Sequence, residues 1–386
     1  MKNILVTICS VLLLLSVTIC SGTMLNLNSA HADYAGEINA KSAILVDFDS
    51  FQVVYEKDAS QKLPIASMVK LMTIYLTFKN LEDGNLSYDQ KITTSEKASG
   101  MGGSQVFIDP YVTYTVNDLL KSVIVSSAND ASVALAESIS GSEEQFVYLM
   151  NQTAKELGML NTLYCNCTGL PAPNQYSTAL DCAIILKNLL SFEDYHKYSS
   201  IWMDTLIHPS GRKTELVNTN KLIKYFDGCD GGKTGSTSEA GYCLTASAKR
   251  DNTRLISVVI GAKSGSDRFK ESINLLNYGF ANYQNKELIN KDNIIAELKT
   301  KRCKQEFAQV VAIESFYAFD KKGAKSAYDI NYELPGEISA TSVGEIIGNA
   351  IVSKEGNVIK VIPLTVKSDI HAMSYKDNLD LILGNW

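Results

Sequence analysis

The sequence predicts a mixed α/β (α+β) protein, in which a helical cluster and an antiparallel sheet form a large first domain and a small all-β domain follows. Three observations carry this. Apolar residues recur at helical spacing in separate stretches between Pro64 and Leu157. From Gly232 to Ala262 the pattern changes to strands joined by the polar turn Arg250-Asp251-Asn252, as antiparallel hairpins require. From Phe307 to Val366 strand patterns continue without helical periodicity. With 386 residues, 45% hydrophobic and 20% charged, the chain has material for two cores.

Taken in order, Lys2, the apolar run Ile4 to Ile19 and the small residues ending Ala30-His31-Ala32 read as an export signal over residues 1–32, with the mature chain beginning at Asp33. The run is short for a membrane span and is interrupted by Ser10, Ser16 and Thr18. Ala43 to Tyr55 form a hairpin around Asp49-Ser50. Pro64 opens a helix whose Ile65, Met68, Met72 and Leu76 share a face, with Asn80 and Gly84 at its end. A glycine-rich loop, Ser99 to Ser104, lacks the Gly-Lys-Ser/Thr of a phosphate loop and reads as the rim of a site. A second helix begins near Thr115, with Asp118 in the capping position, and a third runs from about Ser142 to Leu157. After the hairpins, Arg268 to Tyr283 returns to helical spacing through Phe269, Ile273, Leu276 and Phe280. The charged stretch Lys286 to Lys304 then reads as a connector. The resulting division is 33–285 for the large first domain, 286–370 for the β-domain and 371–386 for a tail. In that tail Leu379, Ile382, Leu383 and Trp386 line one face of a short helix, which either lies in a membrane surface or docks on the β-domain.

Composition narrows the function. Acidic residues number 42 against 36 basic, a formal charge of -6, which argues against nucleic acid as the main partner. Cys165, Cys167, Cys182, Cys229, Cys243 and Cys303 remain after processing; their number permits disulfides without specifying any. Cys165 and Cys167 lack a second ligand pair at zinc-like spacing, and neither a metal nor a cofactor is expected.

With His31 lost, a Ser-His-Asp triad would need His196, His208 or His371, and no serine stands in a G-x-S-x-G setting. Lysine can replace histidine when it follows the serine by one helical turn, because side chains at i and i+3 share a face. Ser67-Met68-Val69-Lys70 has this spacing near a helix N-terminus. Ser210-Gly211-Arg212-Lys213 has it too, so the spacing alone is weak. Ser127-Ala128-Asn129 lies between two helical stretches, and Lys233-Thr234-Gly235 begins a strand whose edge can pair with a peptide backbone. The order S-x-x-K, S-x-N, K-T-G is what lends these motifs weight, since the decoys Ser210 and Ser272 fall out of sequence.

Around these motifs the chain resembles the low-molecular-mass penicillin-binding proteins, the D-alanyl-D-alanine carboxypeptidase family. The resemblance rests on Pro64 to Lys70, Ser127 to Ser132, Leu216 to Lys221, Asp230 to Gly235, the Gly-Met-Gly-Gly-Ser-Gln loop and Leu275 to Phe280. It implies a penicillin-binding/β-lactamase-like transpeptidase domain, peptidoglycan stem peptides as substrate, acylation by β-lactams, and work outside the cytoplasmic membrane. It also implies roles: Ser67 as nucleophile, Lys70 as base, and Ser127, bonded between Lys70 and Lys233, as proton relay. Asn129, Lys233, Thr234, Gly235 and Ser236 would bind substrate. Val69 and Ser236 depart from residues frequent in the family. For Lys70 to act as base, burial and the nearby Lys233 must bring it down from about 10.4. Arg268 reads as a surface ion pair rather than as a partner of the terminal carboxylate, and stays outside the core assignment. A β-lactamase is the nearest rival, but Glu156-Leu157-Gly158-Met159-Leu160-Asn161 has one residue too many for the deacylating E-x-x-L-N pattern. A wall-binding protein without activity would have no need of nucleophile and base together.

Overall fold

The computed structural model describes residues 36–375 and 377. The export signal and the apolar face from Leu379 to Trp386 lie outside them. Strands β1 (Ser42–Asp47) and β2 (Val53–Lys57) form the first hairpin. Every residue of β1 is buried, because alternate side chains enter cores on opposite faces: Ile44 and Val46 on one, Ala43 and Leu45 on the other.

The segment expected to be one helix from Pro64 is divided. Ala66–Val69 is a 3₁₀ turn, and α1 (Lys70–Glu82) follows. Ala66 has φ of 48°, which α-helical geometry excludes, so Ser67 sits in the tighter turn before the helix proper. Strand β3 (Lys91–Thr93), helix α2 (Glu96–Ser99) and strand β4 (Thr113–Thr115) lead to α3 (Val116–Ser126), α4 (Asn129–Ser140) and α5 (Glu143–Glu156). Thr115 accepts the amide of Asp118, the cap legible in the sequence, and Ser142 accepts that of Gln145. Helices α6 (Ala179–Leu190) and α7 (Glu193–Ser199), the hairpin β5 (Met203–Ile207) and β6 (Lys213–Val217), and the short α8 (Leu222–Tyr225) complete the helical side.

Strands β7 (Cys229–Thr237), β8 (Gly241–Arg250) and β9 (Thr253–Ala262) close the main sheet in the antiparallel order β2-β1-β9-β8-β7. The K-T-G strand β7 is therefore an edge. Helix α9 (Gly265–Asn282) covers one face of this sheet, where Leu275 and Leu276 meet Leu45, Leu244 and Leu255; the helical cluster covers the other.

The expected connector Lys286 to Lys304 is partly strand. Its start lies in β10 (Tyr283–Ile289), and β11 (Ala296–Thr300) follows. In β10 Asn285 and Ile289 are buried while Lys286 and Glu287 are exposed beside a bulge in the pairing with β13, so these charges sit on a strand rather than in a loop. The remaining strands are β12 (Phe307–Ala312), β13 (Phe316–Lys321), β14 (Tyr328–Glu333), β15 (Glu337–Ile338), β16 (Gly348–Lys354) and β17 (Asn357–Val366). They form a ribbon, β10-β13, and a sheet in the order β14-β16-β17-β12-β11-β15 around Val310, Val352, Ile362 and Leu364. Beyond the sheet, Lys304 N donates to His371 O and Met373 N to Arg302 O, which ties the beginning of the expected tail to this region. No helix among the described residues is long and apolar enough to cross a membrane.

Candidate active site

The site begins at the turn that carries Ser67. Leu63 pairs with Ser177 across a short bridge, and the left-handed Ala66 turns the chain so that Ser67 is left half-buried. Lys70, one turn on, is fully buried, and its Nζ lies 3.1 Å from Ser67 Oγ. The same nitrogen donates to the carbonyl of Thr168 at 2.5 Å. Burial lowers the Lys70 pKa to about 7, against a smaller upward pull from Cys167 and Asp130. Asp130 is held by the amides of Val106, Ile108 and Ala131, which fix its carboxylate beneath the site.

On the opposite wall, Gly235 of β7 passes directly against this turn. A Cβ at that position would come 2.5 Å from Ile65 O and 3.2 Å from Met68 N, so only glycine allows the approach. Lys233 is 1% exposed, and its Nζ donates to the Thr234 carbonyl. Burial pushes it well below its ordinary value, and the charges of Lys70 and Arg268 act in the same direction. Burial and a neighbouring lysine are the two expected causes; burial is the larger at both residues, and each ammonium disfavours the other's charge. Thr234 Oγ1 donates to Thr219 Oγ1, and Ser236 stands exposed at the outer end of the strand.

Ser127 and Asn129 end one helix and begin the next. Ser127 has φ of 61°, a conformation costly for a side chain bearing Cβ and therefore held by its surroundings. The expected bridge Lys70–Ser127–Lys233 is not formed, because Lys70 bonds Ser67 and Thr168 while Lys233 bonds Thr234. Asn129 Nδ2 donates to Gly102 O at 2.7 Å, which places the glycine-rich loop at the rim as expected. Asn129 Oδ1 is buried without a partner in the protein.

Arg268 corrects the sequence reading. Instead of a surface ion pair, its guanidinium donates to the carbonyls of Gly235 and Cys243 and lies over the rings of Phe269 and Tyr242. It braces β7 against β8. The histidines considered for a triad serve elsewhere: His208 bonds Tyr114 and Thr214, and His196 contacts the Leu190 carbonyl. The six cysteines among the described residues are free thiols. Thr168 was missed by the sequence reading, since a backbone carbonyl leaves no signature in residue type.

Residues 26–264 match the family described as D-alanyl-D-alanine carboxypeptidase. The chain belongs to this family. Residues 283–372 match the C-terminal domain of penicillin-binding protein 5. The D-alanyl-D-alanine carboxypeptidase DacF of Bacillus subtilis is 41% identical over 350 residues, 90% of each chain. Among solved structures, penicillin-binding protein 5 from Haemophilus influenzae has a TM-score of 0.69 and 33% identity, covering 87% of this chain and 98% of its own. Penicillin-binding protein D2 from Listeria monocytogenes, in its ampicillin-bound form, has a TM-score of 0.56 and 31% identity over 62% of this chain and 97% of its own. Family and fold agree with the resemblance drawn from the motifs, and the reaction class of the family is that of a serine carboxypeptidase.

Proposed function

We propose that Ser67 and Lys70 perform the carboxypeptidase reaction on D-alanyl-D-alanine ends of peptidoglycan stem peptides. The observation that carries this is the 3.1 Å contact between Ser67 Oγ and a buried Lys70 whose pKa is about 7. A lysine so placed is neutral in a substantial fraction at physiological pH, within reach of the proton it must remove. Ser67 Oγ gives its proton to Lys70 Nζ and bonds to the carbonyl carbon between the two D-alanines. The oxyanion is held by the backbone N–H groups of Ser67 and Ser236. As the tetrahedral intermediate collapses, the proton held by Lys70 passes to the amine of the departing D-alanine; Ser127, bonded to neither lysine in the substrate-free structure, relays it once substrate draws its hydroxyl to Lys70. Water then releases the shortened peptide from Ser67.

Binding follows from charge. Lys233 and Thr234 receive the terminal carboxylate, whose negative charge relieves the cost of holding Lys233 buried. The peptide backbone pairs along the free edge of β7, which Gly235 keeps close against the Ser67 turn. The open Asn129 Oδ1 accepts a donor from the acyl side of the substrate. A β-lactam presents the same carbonyl and carboxylate and acylates the same serine. We further propose that residues 1–32 are removed on export, that 33–285 and 286–370 act as catalytic and stand-off domains, and that the tail from 371 meets the membrane surface.

Purified enzyme and Ser67→Ala, incubated with a D-Ala-D-Ala pentapeptide and with a β-lactam, test the core of this reading. Released D-alanine and a long-lived mass adduct are expected from the parent and neither from the variant. Adduct formation by Ser67→Ala would overturn the assignment, and rapid β-lactam turnover without D-alanine release would make the enzyme a β-lactamase.

A further inference from the structure

The carbonyl that receives Lys70 belongs to a loop with a second layer of its own. Along α1, Lys70 Nζ takes the Thr168 carbonyl and Thr73 Oγ1 takes that of Cys167 at 2.8 Å, so two successive peptide oxygens are bound to one helix. Gly169 follows with φ of 79°, so close that a Cβ there would lie 2.1 Å from Ala66 O and 2.9 Å from Ser67 N. The turn therefore touches base and nucleophile together.

One side chain organises it. Asn166 Oδ1 accepts from Gly169 N at 2.7 Å, Thr168 N at 3.2 Å and Thr168 Oγ1 at 3.3 Å, and its Nδ2 donates to Leu170 O at 2.9 Å. Asparagine suits this task because its short amide closes a turn on the backbone that follows it. We propose that Asn166 is a positioning residue for Lys70: it fixes the peptide whose Thr168 carbonyl aims the lysine amine at Ser67.

The chemistry explains why aim matters. A neutral amine must donate one N–H elsewhere so that its lone pair faces the Ser67 hydroxyl; the Thr168 carbonyl is that acceptor. Once Lys70 has taken the proton from Ser67, the same carbonyl accepts from the ammonium. A displacement of about 1 Å at such a contact is worth up to about 100-fold in rate. This inference rests on the reading of Lys70 as base.

Gln175 supplies a control. It holds the same loop, accepting from Cys165 N and Asn166 N and donating to Leu170 O, but bonds neither Thr168 nor Gly169. The experiment is stopped-flow acylation by a chromogenic cephalosporin from pH 5.5 to 9.5, with thermal melts, for Asn166→Ala, Asn166→Asp, Gln175→Ala and Lys70→Met. Asn166→Ala should slow acylation about 10- to 100-fold with little change in the non-covalent step. Its ascending pH limb should move upward, because a loosened turn admits water to the ammonium. Asn166→Asp, which keeps the acceptor, should restore most of the rate, and Gln175→Ala should stay within about threefold of the parent, since it leaves the Thr168 peptide held. A rate and pH limb unchanged in Asn166→Ala overturns the proposal. So does an equal loss in Asn166→Ala and Gln175→Ala with the limb unmoved, which would mark general loosening. If Lys70→Met acylates normally, the base assignment itself fails; if it is inert while Asn166→Ala is normal, only the positioning role fails.

Discussion

In the catalytic half the buried residues include Lys70, Lys233, Asp47, Asp130 and Asp181, whereas from β10 to β17 the buried polar residues among those described are Asn285 and Thr365. The first half spends folding free energy to hold charges away from water; the second is held by a small apolar core and leaves Val358, Ile359 and Val361 exposed on its longest strand. Burying an ammonium group is costly unless partners surround it. Lys70 and Lys233 lie near enough to repel one another, whereas Asp47 is held by Ser50 and Asn285 and Asp181 by Asn161 and Thr162.

The sharpest way to break this comparison is Lys70→Met. Removing the base should lower the acylation rate constant by about 100- to 10,000-fold, while the melting temperature holds or rises because a desolvated ammonium has been removed. The pH dependence of stability gives a second reading of the same group. Lys70 is lowered to about 7 in the folded state against 10.5 ordinarily, so between these values the unfolded chain binds the extra proton. Stability should therefore rise with pH across this window, Lys233 contributing in the same direction, and urea unfolding of Lys70→Met should show a smaller rise.

Gly235→Val comes next. Its side chain meets the backbone at Ile65 and Met68, which cannot yield as a flexible side chain would, and β7 must move away from Ser67. Acylation should fall by about 100-fold with D-alanine release falling in parallel, since the spacing of the two walls is disturbed. The smallest effect on activity is expected at Leu364, fully buried in the β-rich half. Leu364→Ala should cost about 2–5 kcal/mol in that region's stability, measured by urea unfolding, yet leave the acylation constant of the folded enzyme unchanged. A large loss of acylation there would show that the halves are not separable in function.

Sequence patterns were most reliable where the information is local. The strands Gly241–Arg250 and Thr253–Ala262 were legible from alternation and a polar turn, and the Thr115 cap from a residue pair three apart. The charged run after Lys286 misled because charge marks solvent exposure, and a strand face is as exposed as a loop. Arg268 misled for a related reason: its position in helix α9 says nothing of the carbonyls on β7 and β8 that receive it.

The sequence by itself determined that a serine and a lysine stand one turn apart and that the three motifs follow one another in order, because such spacing is a property of neighbouring residues. Only the tertiary structure decided how low Lys70 titrates, that Gly235 passes against Ala66, and that a carbonyl at Thr168, 98 residues along the chain, receives the lysine. Desolvation and long-range hydrogen bonds depend on which distant segments pack together, and no local pattern records that.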